Sequence, residues 1–156
     1  MNDISAANDR LTAFGNQLIA VHDWLRDTIT HLRENVDSPA VDLRTHCLAF
    51  CHAITRHHTG EDSDAFTLLR EQFPTLSPVL DTLSRDHGQI EHLLQRLQHL
   101  LDTGDRVAIG RELDGIAVLL ESHFFYEEKK IITALNSLHV PEWERERPAF
   151  LERGDD

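Results

Sequence analysis

Four long stretches of this chain repeat apolar residues every three or four positions, a period that admits little except amphipathic helices packed on a common core. The first stripe runs Leu11, Phe14, Leu18, Val21, Leu25, Ile29, Leu32, and the second Leu43, Cys47, Phe50, Ile54. The third runs Leu76, Leu80, Leu83, Ile90, Leu94, Leu97, Leu101, and the fourth Ile109, Leu113, Ile116, Leu120, Ile131, Ala134, Leu138. Boundary signals fall between them. Ser38-Pro39 and Ser77-Pro78 read as an N-cap followed by proline in the first turn. Gly104-Asp105 closes one helix and caps the next, and Val140-Pro141 ends the fourth. These signals predict helices near 4–36, 39–58, 78–102 and 106–138, with a short extra helix over 66–73 in the connection between helices 2 and 3. The expected fold is all-α, an antiparallel up-down four-helix bundle filling residues 1–140. Residues 141–156 read as a polar tail that Trp143 and Phe150 could dock onto the bundle.

Polar residues interrupt the stripes in a regular way. His22 lies between Leu18 and Leu25 on the first helix, and the second stripe continues past Ile54 as His57 and Glu61. His87 takes a stripe position on the third, and His123 and Glu127 take two on the fourth. A glutamate on a buried face is costly unless it is paired or bound to a cation. The heights also agree: His22 is 16 residues before Ser38 and His57 is 19 after it, while His87 is 17 before Gly104 and His123 is 19 after it. At about 1.5 Å per residue, each hairpin brings its two histidines within roughly 5 Å in height. Four imidazoles and two carboxylates thus converge on one level of the core. An isolated seam histidine is usually a hydrogen-bonded core residue, and a His-Glu pair four apart is common on solvated faces. The full set at one level is not explained that way.

Bulk properties narrow the function. The formal charge of −12 argues against nucleic acid and against an anionic membrane surface. The start Met1-Asn2-Asp3-Ile4 shows no secretory pattern, and the longest wholly apolar run, Ile116 to Leu120, is too short to span a bilayer, so a cytoplasmic location is expected. Two cysteines, Cys47 and Cys51, read as buried thiols rather than a disulfide framework. Eleven histidines are about three times an ordinary share. His31, His46, His52, His92, His99 and His139 fall mostly off the stripes and read as surface residues.

The ordered blocks His57-His58-Thr59-Gly60-Glu61-Asp62, Asp86-His87 and His123-Phe124-Phe125-Tyr126-Glu127-Glu128, preceded by a lone His22, resemble the hemerythrin HHE family over about residues 10 to 138. That resemblance implies two iron ions bridged by Glu61 and Glu127 and by an oxo or hydroxo group, with His22, His57, His87 and His123 completing the ligand set. Manganese is a weaker alternative. The chain departs from the oxygen carriers, which have a further histidine four residues after the helix 3 ligand; here that position is Glu91. His58 and Glu91 are therefore both candidates for an additional ligand, Glu91 reading more readily as a solvated charge, and Tyr126 is a candidate for hydrogen bonding near the metals that reads more readily as packing at a helix edge.

Imidazole and carboxylate donors with open positions suit iron or manganese better than structural zinc. No flavin, nicotinamide or phosphate motif and no Ser-His-Asp set is present, so the chemistry falls to the metals. Three readings follow. One is a binding module for O2 or nitric oxide, in storage or in O2 and redox sensing. A second is an enzyme decomposing hydrogen peroxide, catalase-like or peroxidase-like, supported by the missing histidine at 91. The third is iron handling. A monomer or weak homo-oligomer is expected.

Overall fold

The computed structural model describes residues 13–153. Four long helices form the expected all-α bundle: α1 (Phe14–Glu34), α2 (Leu43–Gly60), α4 (Ser77–Thr103) and α5 (Arg106–Ser137). Each packs against its neighbours in the cyclic order α1, α2, α4, α5, with α1 closing the ring on α5. The short helices α3 (Phe66–Gln72) and α6 (Pro141–Arg145) complete the chain with two 3-10 turns, Pro74–Leu76 and Ala149–Leu151. No helix among the described residues is long and apolar enough to cross a membrane.

Several boundaries differ from those expected. The proposed start of the first helix at residue 4, with Leu11 on its stripe, lies outside the described residues. Ser38 does not cap α2. The chain turns through Ser38 and Val41, and Asp42 takes the cap by accepting from the Thr45 N–H at 3.1 Å. Nor does the helix stop near residue 58. It runs on through a widened π-helical turn, Glu61–Ala65, into α3, so Gly60 is no break. Ser77 lies inside α4 rather than capping it, because the 3-10 turn before it leads directly into the helix. The Gly104-Asp105 junction is as expected: Gly104 adopts a left-handed φ of 70°, and Asp105 accepts from the Ala108 N–H. On α5 the buried residue is Leu135, with Ala134 only partly covered.

The apolar interior divides in two. An upper cluster takes Val21 to Leu32, Leu43 to Ile54, Ile90 to Leu101 and Ile109 to Phe124. A lower cluster takes Phe14 and Leu18, Ala65 to Leu69, Leu80 and Leu83, and Ile131 to Leu138. The C-terminal segment belongs to the lower one: Phe150 and Leu151 are buried there, and the Trp143 ring sits edge-on between Phe14 and Phe150. Between the clusters lies a layer of buried polar residues.

Cys47 and Cys51 are free and buried in the upper cluster, where burial pushes the thiols up to about 11 and about 12. The folded chain therefore holds these protons when the unfolded chain has released them. Stability is full below the ordinary thiol range, near pH 8.5, and is lost as pH rises toward 11. The melting temperature is expected to fall above about pH 9, and to fall less steeply in the Cys47→Ala, Cys51→Ala double variant. At pH 8 a thiol reagent should label neither cysteine until denaturant is added. Truncating Leu94, fully buried, to alanine is expected to cost about 2–5 kcal/mol in denaturant titration.

Candidate metal centre

The polar layer is built from four helices. His22 comes from α1, His57 and His58 from the last turn of α2, Glu61 from the π-helical turn, His87 from α4, and His123 and Glu127 from α5. All seven are buried, with His22, Glu61 and Glu127 at 0% exposure. Their donor atoms form two tight groups: His22, His57, Glu61 and Glu127 in one, and His58, Glu61, His87 and His123 in the other, each spanning no more than 4.8 Å. Glu61 belongs to both.

Helix geometry explains the sharing. With about 100° between successive residues, Glu61 projects between His57 and His58, roughly 40° from one and 60° from the other. The sequence His-His-x-x-Glu thus points two imidazoles to either side of one carboxylate. The widened turn that starts at Glu61 follows a pattern in which such turns often accompany functional sites.

The layer is arranged for a cation rather than for internal hydrogen bonding. The Nε2 atoms of all five histidines and both carboxylate oxygens of Glu61 and Glu127 are buried without a hydrogen-bond partner. His22 Nε2 and Glu127 Oε1 lie 2.9 Å apart, and His87 Nε2 lies 3.2 Å from Glu61 Oε1, yet neither pair is aligned as a hydrogen bond. Nine orphaned donor atoms in one layer would be prohibitively costly in a finished protein, and convergence on a metal removes that cost. The donor set, imidazole and carboxylate without thiolate, fits a first-row cation such as iron or manganese.

Four of the five histidines are anchored through the opposite ring nitrogen. His22 Nδ1 meets Glu128 at 2.7 Å, His87 Nδ1 meets Asp62 at 3.0 Å and His123 Nδ1 meets Asp86 at 3.0 Å. His57 Nδ1 donates to the backbone carbonyl of Phe150 at 2.7 Å. Each contact fixes the tautomer that leaves the Nε2 lone pair facing inward. The carboxylates are themselves held: Arg26 meets Glu128 at 3.0 Å, and Ser84 donates to Asp62 at 2.8 Å. Phe124 stacks on His22 with ring centres 3.9 Å apart, and the His58 and His87 rings stack at the same distance.

Without a cation the electrostatics are strained. Burial, reinforced by the repulsion of Glu127, pushes the Glu61 carboxyl well above its usual range. Burial acts on Glu127 in the same direction, but the adjacent His22 imidazole outweighs it and holds that carboxyl low. Burial, with repulsion from His22, brings His57 down to about 3. His58 is lowered by burial and by its histidine neighbours, and His123 by burial. Neutral imidazoles of this kind offer free lone pairs.

The six principal residues expected from the sequence are therefore brought together, and His58 joins them. Glu91 does not. It is half-buried outside both groups and accepts a hydrogen bond from Thr55 at 2.7 Å. Tyr126 packs against the lower cluster, and its hydroxyl makes no hydrogen bond among the described residues. The six histidines assigned to the surface are all exposed. Sequence reasoning gave no role to Asp62, Asp86 and Glu128, although each directly neighbours a ligand position and was legible for that reason. The Phe150 carbonyl carried no such signal.

The layered bundle and its paired His/Glu groups define a metal-binding helical domain. Residues 14–135 match the Hemerythrin HHE cation binding domain, and the chain belongs to that family. Neither the curated proteins nor the solved structures compared with it give a match.

A cation bound only by the native layer must stabilise the fold. Removing it with a chelator is expected to lower the melting temperature by roughly 10 °C. At Gly60, a Cβ would meet the Phe150 backbone nitrogen at 2.9 Å, so Gly60→Ala should lift the C-terminal segment and take the carbonyl from His57. That variant is expected to bind a cation more weakly by titration than the parent.

Proposed function

We propose that this chain is a non-haem di-iron protein that binds O2 or a related small diatomic at the centre of its bundle. One observation carries the reading: the two groups that share Glu61 are unequal, one holding three imidazoles and the other two. An octahedral ion offers about six positions. If both glutamates bridge, as the family resemblance implies, and one further bridging ligand is shared, the His58, His87, His123 ion is filled. The His22, His57 ion then keeps one position for a ligand. A bound iron pair would supply the redox change that makes ligand uptake reversible, and the residues of the chain determine how that position is presented.

The surroundings of the two-histidine group support a binding role. His22 and Glu127 are at 0% exposure, Phe124 lies flat on the His22 ring, and Phe150 closes the far side. An apolar, enclosed position favours a small neutral ligand over a hydrated anion, and it limits loss of charge or protons to solvent. The reading as a peroxide-decomposing enzyme drew its support from an absent fifth histidine, and His58 weakens that support by standing in the other group. The free, unlinked cysteines suit a reducing compartment such as the cytoplasm.

Metal analysis of protein purified in air is expected to give about two irons per chain, with the near-ultraviolet absorption of a bridged diferric pair. After anaerobic reduction, admission of O2 should produce a visible band that disappears on degassing and returns on re-exposure. An irreversible change accompanied by sustained peroxide consumption would replace the binding role with catalysis. No iron or manganese after anaerobic ferrous reconstitution would remove the metal reading. His58→Ala is expected to keep the fold but hold fewer than two irons, whereas His52→Ala, at an exposed position, should leave iron content unchanged.

A further inference from the structure

The two metal groups differ in how they meet the surface. The His22, His57 and Glu127 side is sealed by Phe124, by the Phe150 segment and by the Arg26–Glu128 ion pair. On the other side His58 and His87 are each 5% exposed, the largest values in the layer. Both line a surface cleft of about 300 Å³ between α2 and α4. The remaining walls are Thr55, Thr59, Asp62, Ser84, Gly88 and Glu91.

That lining has a definite chemistry. Three hydroxyl-bearing and two carboxylate-bearing residues line the cleft, Thr55 and Ser84 donating to the carboxylates of Glu91 and Asp62, and the lining contains no lysine or arginine. These are hard oxygen donors, which exchange readily with the water shell of a divalent cation. Asp62 already touches His87 Nδ1, and Glu91 is held in place by Thr55. At the floor stand the His58 and His87 rings, whose buried, unpartnered Nε2 atoms lie behind them among the donors around Glu61. The opening is kept clear at Gly88, where an added Cβ would meet nothing within 4 Å.

We propose that the cleft between α2 and α4 is the port through which a divalent cation reaches the metal centre, with the Glu91 and Asp62 carboxylates as its first landing point. The inference rests on the metal-centre reading above. Glu91 then acts on arrival rather than as a permanent ligand. The cation sheds part of its water onto these oxygens, passes the stacked His58 and His87 rings when they part, and is captured by the donors around Glu61. The overall charge of −12 draws cations toward the molecule, and the acidic mouth concentrates them at one point.

The test is the rate at which metal-free protein takes up cobalt(II), followed by the visible bands of the ligated ion, with the final metal content measured separately. Glu91→Gln is expected to slow uptake about tenfold and to flatten its dependence on ionic strength, with two ions still bound at the end. Gly88→Leu, which fills open space and favours the helix, should slow uptake as well and melt no lower than the parent. Glu71→Gln, an exposed carboxylate on α3, should change nothing. Uptake at the parental rate in both cleft variants overturns the port. A final content below two ions in Glu91→Gln makes Glu91 a ligand and overturns its landing role. If the parent protein takes up no cation, the metal-centre reading falls and the port with it.

Discussion

Two carboxylates buried in the middle of an apolar bundle set the terms for everything around them. Glu61 and Glu127 have no exposure and no hydrogen-bond partner. Leaving one ionised carboxylate in such a place costs several kcal/mol, and leaving two side by side costs more. The fold answers by bringing imidazoles from all four long helices to the same level. Apolar layers above and below then fix that level, so the polar seam separates two hydrophobic clusters instead of disturbing one. The charge arrangement needs a cation, and the packing determines where it can sit.

Precision at that level comes from the residues behind the imidazoles. Free imidazole rings could rotate and could carry their proton on either nitrogen. Glu128, Asp62, Asp86 and the Phe150 carbonyl remove both freedoms for four of the five histidines. His58 lacks such an anchor among the described residues and is instead held by stacking on His87. Of the two imidazoles that line the surface cleft, His58 is thus the less constrained, whereas His22 and His57 are fixed by charged or backbone partners.

Much of this was legible in the sequence because helical periodicity is a strong signal. The stripes located four helices, and their interruptions picked out His22, His57, Glu61, His87, His123 and Glu127. What periodicity could not convey was whether both residues of an adjacent pair face the core. His58 was a candidate only through its place beside His57. It faces the core because Glu61 projects between the two imidazoles, about 40° from His57 and about 60° from His58, so a buried Glu61 brings both inward. Glu91 kept the right spacing from His87 but the wrong direction, a difference that only the packing of α2 against α4 decides. The caps at Ser38 and Ser77 misled for a similar reason. A serine before a proline permits a helix start, but the competing Asp42 cap and the 3-10 turn at Pro74–Leu76 set the actual boundaries.

The Phe150 carbonyl has an implication for where this domain ends. The family pattern covers residues 14–135, and α5 is complete at Ser137. Yet His57 on α2 takes its anchor from a backbone group 13 residues beyond that helix, carried on a charged segment that only Trp143 and Phe150 mark for docking. The unit that the family pattern covers and the unit that orients the buried imidazoles in this chain are therefore not the same length. A bundle transplanted by its pattern alone would bring every buried histidine and glutamate and leave one imidazole free to turn.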